Sequence, residues 1–441
     1  MWVKEDYEME ILTLGEKIKR RRKELEMTLK DLAGDRITPG QISLVECGRS
    51  NPSMDLLEYL ANALQTSIEY LMESEETQAE KICVYYEQMA ETYILNSDYT
   101  NAEKYIENAL YYAEEYNLEY RKARNLFLRA NIYKEKKELV LAQQLYLSAN
   151  VIFIKRNNYE QIISTFLNLG KITLSLKAYH SATSYLKQAE KVYLDNNIGN
   201  DFILGEIYYQ IAESYFQTDN IKKAIDYTFL AKQKFEQVQN KEEYGKSLML
   251  LSKEYNKKGD IANAIKYSKK TLELYKELEE EKNISSIENN LGKLFFEFDN
   301  LEEAFKHYKI AKEIRMRNKD SKVIETLINM CEVYIQIKEI NKCEKVISQI
   351  DTLIDESNIE QIIERNILCY RLYIITEKFY EAECILLETF NIAKTNGLNK
   401  KAAEIAILIG KYYIGVKRES EAARYLDEGV SIFRSLGILN N

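Results

Sequence analysis

Residues 37–53 read ITPGQISLVECGRSNPS, and this stretch contains both of the chain's prolines, Pro39 and Pro52. No further proline follows it. Because proline breaks a helix anywhere beyond its first turn, this distribution predicts two regions. A short head with several helix boundaries comes first, and a long, uninterrupted helical body follows.

The composition is that of a folded protein with more than one domain. The chain has 441 residues, more than one compact core usually takes, and 46% of them are hydrophobic. No apolar run reaches the length of about 18 residues that a membrane span needs. The opening residues, MWVKEDYEMEIL, also lack the layout of a signal peptide. We therefore expect a cytoplasmic protein with no membrane partner.

The chemistry-bearing residues predict neither a metal site nor an enzyme. The six cysteines are widely spaced, with no CxxC pair, and the chain has only two histidines, so no zinc set can be written. Neither a nucleophile–base pair nor a glycine-rich phosphate loop is visible. We expect no catalytic residues, no metal and no cofactor.

Charge is unevenly distributed along the chain. The net charge is −9, which argues against a body coated for nucleic acid. Residues 17–23, in contrast, read KIKRRRK, with six cations in seven positions. Any nucleic-acid contact is therefore expected in the head.

Residues 14–73 carry the start and stop signals of five short helices, a helix-turn-helix arrangement. In the third predicted helix Thr38 is an N-cap, Pro39 takes the first helical position, and Gln41 stands at the third position, where it completes a capping box. The same Gln41 is also one of the few residues there able to hydrogen-bond a base, most naturally adenine. Cap and base reader both remain open for Gln41.

The string from Leu14 to Leu64 resembles the repressor-type, five-helix DNA-binding domain of phage and bacterial regulators. The resemblance is carried by Leu32-Ala33, by ISLVECG at 42–48 and by Asn51-Pro52-Ser53. It implies an ion pair between Arg22 and Glu46, and a third helix that lies in the major groove. Residues expected at base edges are Thr38, Pro39, Gly40, Gln41 and Leu44. Phosphate contacts are expected from Lys17, Lys19, Arg20, Arg36, Ser43 and Arg49.

The body is built from an internal repeat of about 40 residues. Each unit has a small or tightly packing residue, in most units an aromatic three positions later, and a second small residue twelve positions later. The first anchors of the nine units lie 39 to 42 residues apart. They are Ala90, Ala130, Gly170, Ala212, Ser252, Gly292, Cys331, Tyr370 and Gly410.

This spacing predicts helix hairpins, because small residues are needed where two antiparallel helices touch. A single hairpin cannot bury its own face, so neighbouring hairpins stack. The pattern resembles the tetratricopeptide repeat, with a longer period and without its terminal proline, which longer helices would explain. The expected fold is all-α: a five-helix helix-turn-helix domain, then a right-handed superhelical solenoid of about nine tetratricopeptide-like hairpins.

In such repeats the first helix of each hairpin faces a concave groove. The positions two before, one after and four after the first anchor are then candidates for binding a peptide. Amides can hold a peptide backbone, and cations can hold carboxylates. The candidates, with some neighbours, are Arg124, Asn131, Asn168, Lys171, Tyr209, Gln210, Lys253, Asn289, Asn290, Lys293, Asn329 and Arg371.

The combination of such a head with such a body resembles the RRNPP family of Gram-positive quorum-sensing regulators, with the neutral-protease regulator branch nearest in overall plan. The resemblance implies a homodimer or higher oligomer on a palindromic DNA operator, switched by a short signalling peptide in the groove. The alternative is a scaffold that sequesters or dephosphorylates a response-regulator protein. We expect an arm at 1–13, the DNA-binding domain at 14–73, a linker at 74–80, and the repeat domain at 81–441.

Overall fold

The computed structural model describes residues 10–355 and 357–436, and in these ranges every regular element is a helix. By compactness the chain divides into two units, Met1–Asn220 and Ile221–Asn441. None of the described helices is both long and apolar enough to cross a membrane.

The first unit contains the five helices of the head and seven helices of the body. The head has α1 (Leu14–Glu24), α2 (Leu29–Ala33), α3 (Pro39–Glu46), α4 (Met54–Ala63) and α5 (Ile68–Met72). The body begins with α6 (Glu75–Leu95), α7 (Tyr99–Glu115), α8 (Glu119–Glu135), α9 (Leu139–Lys155), α10 (Tyr159–Ser175), α11 (Tyr179–Asp195) and α12 (Asp201–Gln217).

The second unit contains the remaining eleven described helices. They are α13 (Ile221–Gln237), α14 (Lys241–Lys257), α15 (Ile261–Glu277), α16 (Glu281–Glu297), α17 (Leu301–Arg317), α18 (Val323–Gln336), α19 (Ile340–Leu353), α20 (Ile359–Ile375), α21 (Phe379–Thr395), α22 (Asn399–Gly415) and α23 (Glu419–Ser435). The prediction of an all-α chain, with a helix-turn-helix head followed by about nine tetratricopeptide-like hairpins, is confirmed.

The head encloses a hydrophobic core of its own, centred on Ile18, Leu32, Ile42 and Leu60, each with no exposed surface. It is nevertheless joined to the body without a loop, because α6 begins at Glu75. The expected linker at 74–80 is therefore wrong: all but its first residue belong to the first turns of α6.

Part of the predicted N-terminal arm lies against α6. Leu12 and Gln78 exchange two hydrogen bonds: the Leu12 amide donates to Gln78 Oε1 at 3.1 Å, and Gln78 Nε2 donates to the Leu12 carbonyl at 2.9 Å. Ile11 packs on the apolar cluster of α6 and α7. Residues 1–9 of the arm lie outside the described residues.

The body repeats because helix and turn lengths are nearly constant. Most of its helices have 17 residues, and most of its turns have three. In these turns the middle residue has a left-handed backbone, as in Ser97 (φ 59°), Asn117 (φ 54°) and Lys137 (φ 65°). This geometry directs amides back to the last carbonyls of the helix, which would otherwise lack partners. A helix and its turn repeat every 20 residues, which accounts for the 40-residue period.

The small anchors lie where paired helices approach closely. Ala90 and Ala102, on α6 and α7, have no exposed surface. A methyl group added at Gly292 would lie 2.5 Å from the ring of Tyr308 on the facing helix α17. Anchor Tyr370 departs from the rule and is only half-buried. The predicted role of the small residues is confirmed wherever the residue is small.

Gly259 tests the turn geometry, because it takes the left-handed position between α14 and α15 with φ 83° and has open space around it. We expect Gly259→Ala to lower the local opening free energy of α14 and α15 by about 1 kcal/mol, since alanine is strained at this φ. Hydrogen exchange of these helices measures the change. Gly199→Ala is the matched control, because Gly199 also has open space but no left-handed φ. Equal effects of the two substitutions would contradict the role of φ.

Candidate functional site

Helix α3 has the geometry expected of a recognition helix. Thr38 caps it, with its Oγ1 accepting from the Gln41 amide at 3.3 Å. Ile42 and Val45 face the core, whereas Gly40, Gln41 and Leu44 are exposed, Leu44 to 45%. An exposed leucine on a short, otherwise polar surface is available for an apolar contact to a base edge.

Arg22 and Glu46 fix α3 against α1. Arg22 Nε donates to Glu46 Oε1 at 2.6 Å, and Nη2 donates to Oε2 at 3.0 Å, a two-pronged ion pair that is largely buried. The hydrogen bond to Glu46 raises the pKa of Arg22 above its usual value. The ion pair that the family resemblance implied is confirmed. Both side chains therefore have a structural role.

Gln41 serves as a cap with only one of its two polar atoms. Its Oε1 accepts from the Thr38 amide at 3.0 Å and from Thr38 Oγ1 at 3.3 Å. Across the described residues, Nε2 donates to no protein acceptor, and the side chain is exposed. Gln41 can therefore cap α3 and still donate to a base, but it cannot pair with adenine through both atoms while it caps.

The prediction of a phosphate contact from Lys17 is wrong. Lys17 is 1% exposed, and its ammonium donates to the carbonyls of Tyr70 at 2.9 Å and Glu73 at 2.7 Å. Burial lowers the pKa of this ammonium, and the charge of Glu73 acts in the opposite direction. Through these two hydrogen bonds, Lys17 connects α1 to the end of α5. Helical spacing could have found this, since position 17 lies beside Leu14 and Ile18 on the inward face.

The other predicted phosphate-binding residues remain accessible in varying degree. Lys19 and Arg49 are exposed, and Ser43 is half-buried. Arg20 is exposed but lies 3.4 Å from Glu24 and 3.5 Å from Glu10. Arg36 is exposed, with its guanidinium 5.7 Å from the centre of the Tyr59 ring.

In the first unit, several predicted peptide-binding residues are already bonded to neighbours. Arg124 pairs with Glu91, and Lys171 pairs with Glu206, in each case between first helices of successive hairpins. Asn131 accepts a hydrogen bond from the hydroxyl of Tyr146.

The amide candidates in the rest of this unit are partly committed as well. Asn168 donates to the Ser164 carbonyl at 2.9 Å and accepts from Lys134 at 3.4 Å. Tyr209 and Gln210 are half-buried on α12. The first unit thus keeps few unengaged groups among the predicted set.

In the second unit, two more predicted cations are paired. Lys293 donates to Glu325 at 2.7 Å, and Arg371 pairs with Glu332. The prediction that Asn289 faces a groove is wrong, because it is 1% exposed. Its Oδ1 accepts from Asn329 Nδ2 at 3.2 Å, so Asn289 holds the half-buried Asn329 in place.

Three predicted residues of the second unit meet in one cavity of about 150 Å³ between α14, α15 and α16. They are Lys253, Asn290 and Lys293. A cavity of this volume accommodates a group of the size of benzene, comparable to one amino-acid side chain. The structure therefore brings three of the predicted peptide-binding residues together in one cavity.

The cavity has a polar rim and a mostly apolar floor. Asn256 and Glu297 belong to the polar lining, and Met249, Ile287 and Leu294 supply apolar atoms. Three buried hydroxyl residues, Ser252, Ser268 and Thr271, also line it. Asn256 stands four residues after anchor Ser252, at one of the candidate positions, whereas the sequence analysis missed the residues of the floor because they belong to the core-facing pattern. Such a pocket, mostly apolar with a few convergent polar groups, is the usual form of a ligand site. No group of three or more potential metal ligands occurs among the described residues.

Comparisons with known proteins agree with both parts of this architecture. The helix-turn-helix family matches residues 18–71, and the tetratricopeptide repeat family matches residues 245–278. Among curated proteins no match is found.

Solved structures share the fold at low sequence identity. The apo form of the quorum sensor NprR from B. thuringiensis is 15% identical, with a TM-score of 0.56, over 80% of this chain and 99% of that one. Aspartyl phosphate phosphatase F from Bacillus subtilis is 14% identical, with a TM-score of 0.51, over 81% of this chain and 94% of that one. A tetratricopeptide sensor protein of the signal-transduction ATPase class from Pyrococcus horikoshii is 13% identical, with a TM-score of 0.53, over 96% and 73%.

The chain is thus a helix-turn-helix protein with a tetratricopeptide-like repeat body. Over 80% of its length it shares the fold of the solved NprR chain, of which the match covers 99%. Because phosphatase F shares the repeat fold, the fold by itself does not choose between regulator and phosphatase.

Lys17→Met tests the corrected role of this residue. Removing the ammonium takes a charged donor from two part-buried carbonyls and leaves that of Glu73 only a longer bond from Gln78 Nε2. We therefore expect the opening free energy of the head to fall by about 2 kcal/mol. Hydrogen exchange of α1 and α5 measures it. Lys19→Met, at an exposed position on the same helix, should change protection little. Unchanged protection in Lys17→Met would show that the two contacts contribute nothing.

Proposed function

We propose that this protein is a cytoplasmic transcription regulator whose DNA binding is switched by a short linear peptide. The observation that supports this most is that one chain joins a capped, exposed α3 to a repeat body with an amide- and ammonium-lined cavity. The exposed face of α3 suits the major groove of DNA. The cavity suits an extended peptide, whose backbone carries polar groups.

On DNA, α3 would lie in the major groove with Gln41 and Leu44 at base edges. Because Gln41 Oε1 is held by Thr38, its free Nε2 would donate to an acceptor such as purine N7 or thymine O4. Lys19, Arg20, Arg36 and Arg49 would contact phosphates. With so few base contacts per head, specificity would require two heads on a palindromic operator, and hence a homodimer.

For the peptide, the cavity of the second unit is the best-supported place. Asn290 and Asn256 each offer a donor and an acceptor, which is what a peptide backbone needs. The apolar floor would take one side chain. NprR, which shares the fold, is described as a quorum sensor, and a signalling role for the present protein fits that likeness.

A second candidate is a body that docks a protein partner, such as a response regulator. The observation that favours it is helix α9, which exposes Val140 to 60%, Val151 to 68% and Ile154 to 50%. Apolar side chains gathered on an outer face mark protein contacts more often than chance exposure does. A protein that co-purifies in fixed stoichiometry and is displaced by peptide would favour this candidate.

Arg49→Ala tests the DNA-binding proposal. We expect weaker binding to all duplexes alike and a salt dependence, log K against log salt, flatter by roughly one unit, because one phosphate contact is lost. Fluorescence anisotropy at several salt concentrations measures both. Lys400→Ala, an exposed cation on α22, is the control and should leave the slope unchanged. A loss confined to one DNA sequence would instead make Arg49 a base reader.

Asn290→Ala tests the peptide proposal. We expect the full chain to retain short secreted peptides from the medium of its own host, identified by mass spectrometry. The variant should retain about five- to tenfold less, since one hydrogen-bonding amide contributes about 1 kcal/mol. Asn391→Ala, exposed on α21, is the control. If the unaltered protein retains no peptide, the proposal is abandoned.

A further inference from the structure

The first helices of successive hairpins are joined by a ladder of ion pairs at fixed repeat positions. Lys171, one residue after anchor Gly170, pairs with Glu206, six residues before the next anchor. Lys293, one residue after anchor Gly292, pairs in the same way with Glu325 at 2.7 Å. In both cases a cation one residue after the anchor meets a glutamate six residues before the next anchor.

The same ladder also runs with its charges exchanged. Glu91, one residue after anchor Ala90, pairs with Arg124, six residues before the next anchor. The geometry therefore belongs to the repeat and not to one pair of residues. Each pair neutralises a charge that would otherwise face the ligand side.

Lys253 occupies the first of these positions and lacks such a partner. It stands one residue after anchor Ser252, but the position opposite, six residues before Gly292, is Ser286. Lys253 is exposed and has no ion pair in the part of the chain that the structure describes. Arg371, whose opposite position holds Glu404, differs, because it pairs backwards with Glu332 and so is neutralised.

This ammonium lies in the lining of the cavity between α14, α15 and α16. The other cation of the lining, Lys293, is held by Glu325. The lining carboxylate, Glu297, is exposed and forms no ion pair with Lys253. The cavity thus combines a side-chain-sized volume with one cation whose charge the described protein does not balance.

We propose that Lys253 binds a carboxylate of the peptide ligand. This carboxylate would take the position that Glu206 and Glu325 occupy opposite Lys171 and Lys293, where Ser286 stands opposite Lys253. The inference rests on the proposed peptide-binding function. It adds that the ligand must be acidic at this point, through a free C-terminus or an Asp or Glu side chain. A neutral peptide would leave the ammonium unbalanced and would bind more weakly.

Ser286→Glu restores the glutamate opposite Lys253 and is the decisive variant. A glutamate at 286 should pair with Lys253, as Glu206 does with Lys171, and compete with the ligand's carboxylate. Lys253→Met removes the cation instead, and Lys253→Arg preserves it. Lys171→Met is the matched control, because it removes a cation that occupies the same repeat position but is already paired.

The probe is an equimolar library of synthetic linear heptapeptides in three forms. The first has free C-termini and no Asp or Glu, the second is amidated and contains Asp and Glu, and the third is amidated without them. Retention on the immobilised full chain is measured by mass spectrometry. We expect the first or the second form to be retained about fivefold over the third, which also tells the two carboxylate sources apart.

The ratio of retained carboxylate-bearing peptides to retained neutral peptides should fall towards one in Ser286→Glu and Lys253→Met. It should persist in Lys253→Arg and Lys171→Met. Retention of the third form equal to the others, or an unchanged preference in Ser286→Glu with a normal melting curve, overturns the inference alone. Should Ser286→Glu melt early, an unchanged preference in Lys253→Met overturns it. Absence of any retained peptide on the unaltered protein overturns the proposed function and this inference together.

Discussion

The close approach of two antiparallel helices is the constraint on which the whole body depends. Where α16 meets α17, there is no room for a side chain at Gly292 beside the ring of Tyr308. Protein interiors are packed too densely to absorb an added methyl group at such a point without displacement. The small anchors therefore set the distance between paired helices, and the pairs in turn fix which residues of neighbouring hairpins meet.

Two consequences follow for function. Because the pairing is regular, charges on the first helices can fall opposite each other at constant offsets, and three such pairs neutralise one another. Exceptions then stand out against the pattern, as Lys253 does. In the head the corresponding constraint is the Arg22–Glu46 pair, which seats α3 so that its outer residues remain accessible.

The fold could be predicted largely from the sequence, since its determinants are local and repeated. Caps mark the head's helices, and Thr38 and Gln41 form the expected capping box. The 40-residue spacing of small residues fixes the hairpins. The start of α6 also carries a cap signal, because Ser74 is its N-cap and follows directly on the end of the head, so the sequence held the information that no loop separates them.

The sites could be predicted only in part, because burial and pairing join residues far apart in the chain. Helical spacing places Lys17 on the inward face, but the carbonyls that accept from its ammonium lie 53 and 56 residues away, and no local pattern identifies them. Asn289 and Asn290 are adjacent and chemically identical, yet the first is buried and the second lines the cavity. One step along a helix turns a side chain by about 100°, so a single residue decides which of the two can meet a ligand.

The spacing between neighbouring first helices also determines how many of them a bound peptide of a given length could contact. Packed helices lie about 8–10 Å apart, and an extended peptide advances about 3.3 Å per residue. A ligand that crosses these helices therefore passes one of them about every three residues. A heptapeptide anchored at α14 would reach α16 and α18, where Asn290 and Asn329 lie, and would end before Arg371 on α20. If the proposed peptide crosses the first helices of the second unit, the helix spacing would limit the length of peptide that these helices can contact.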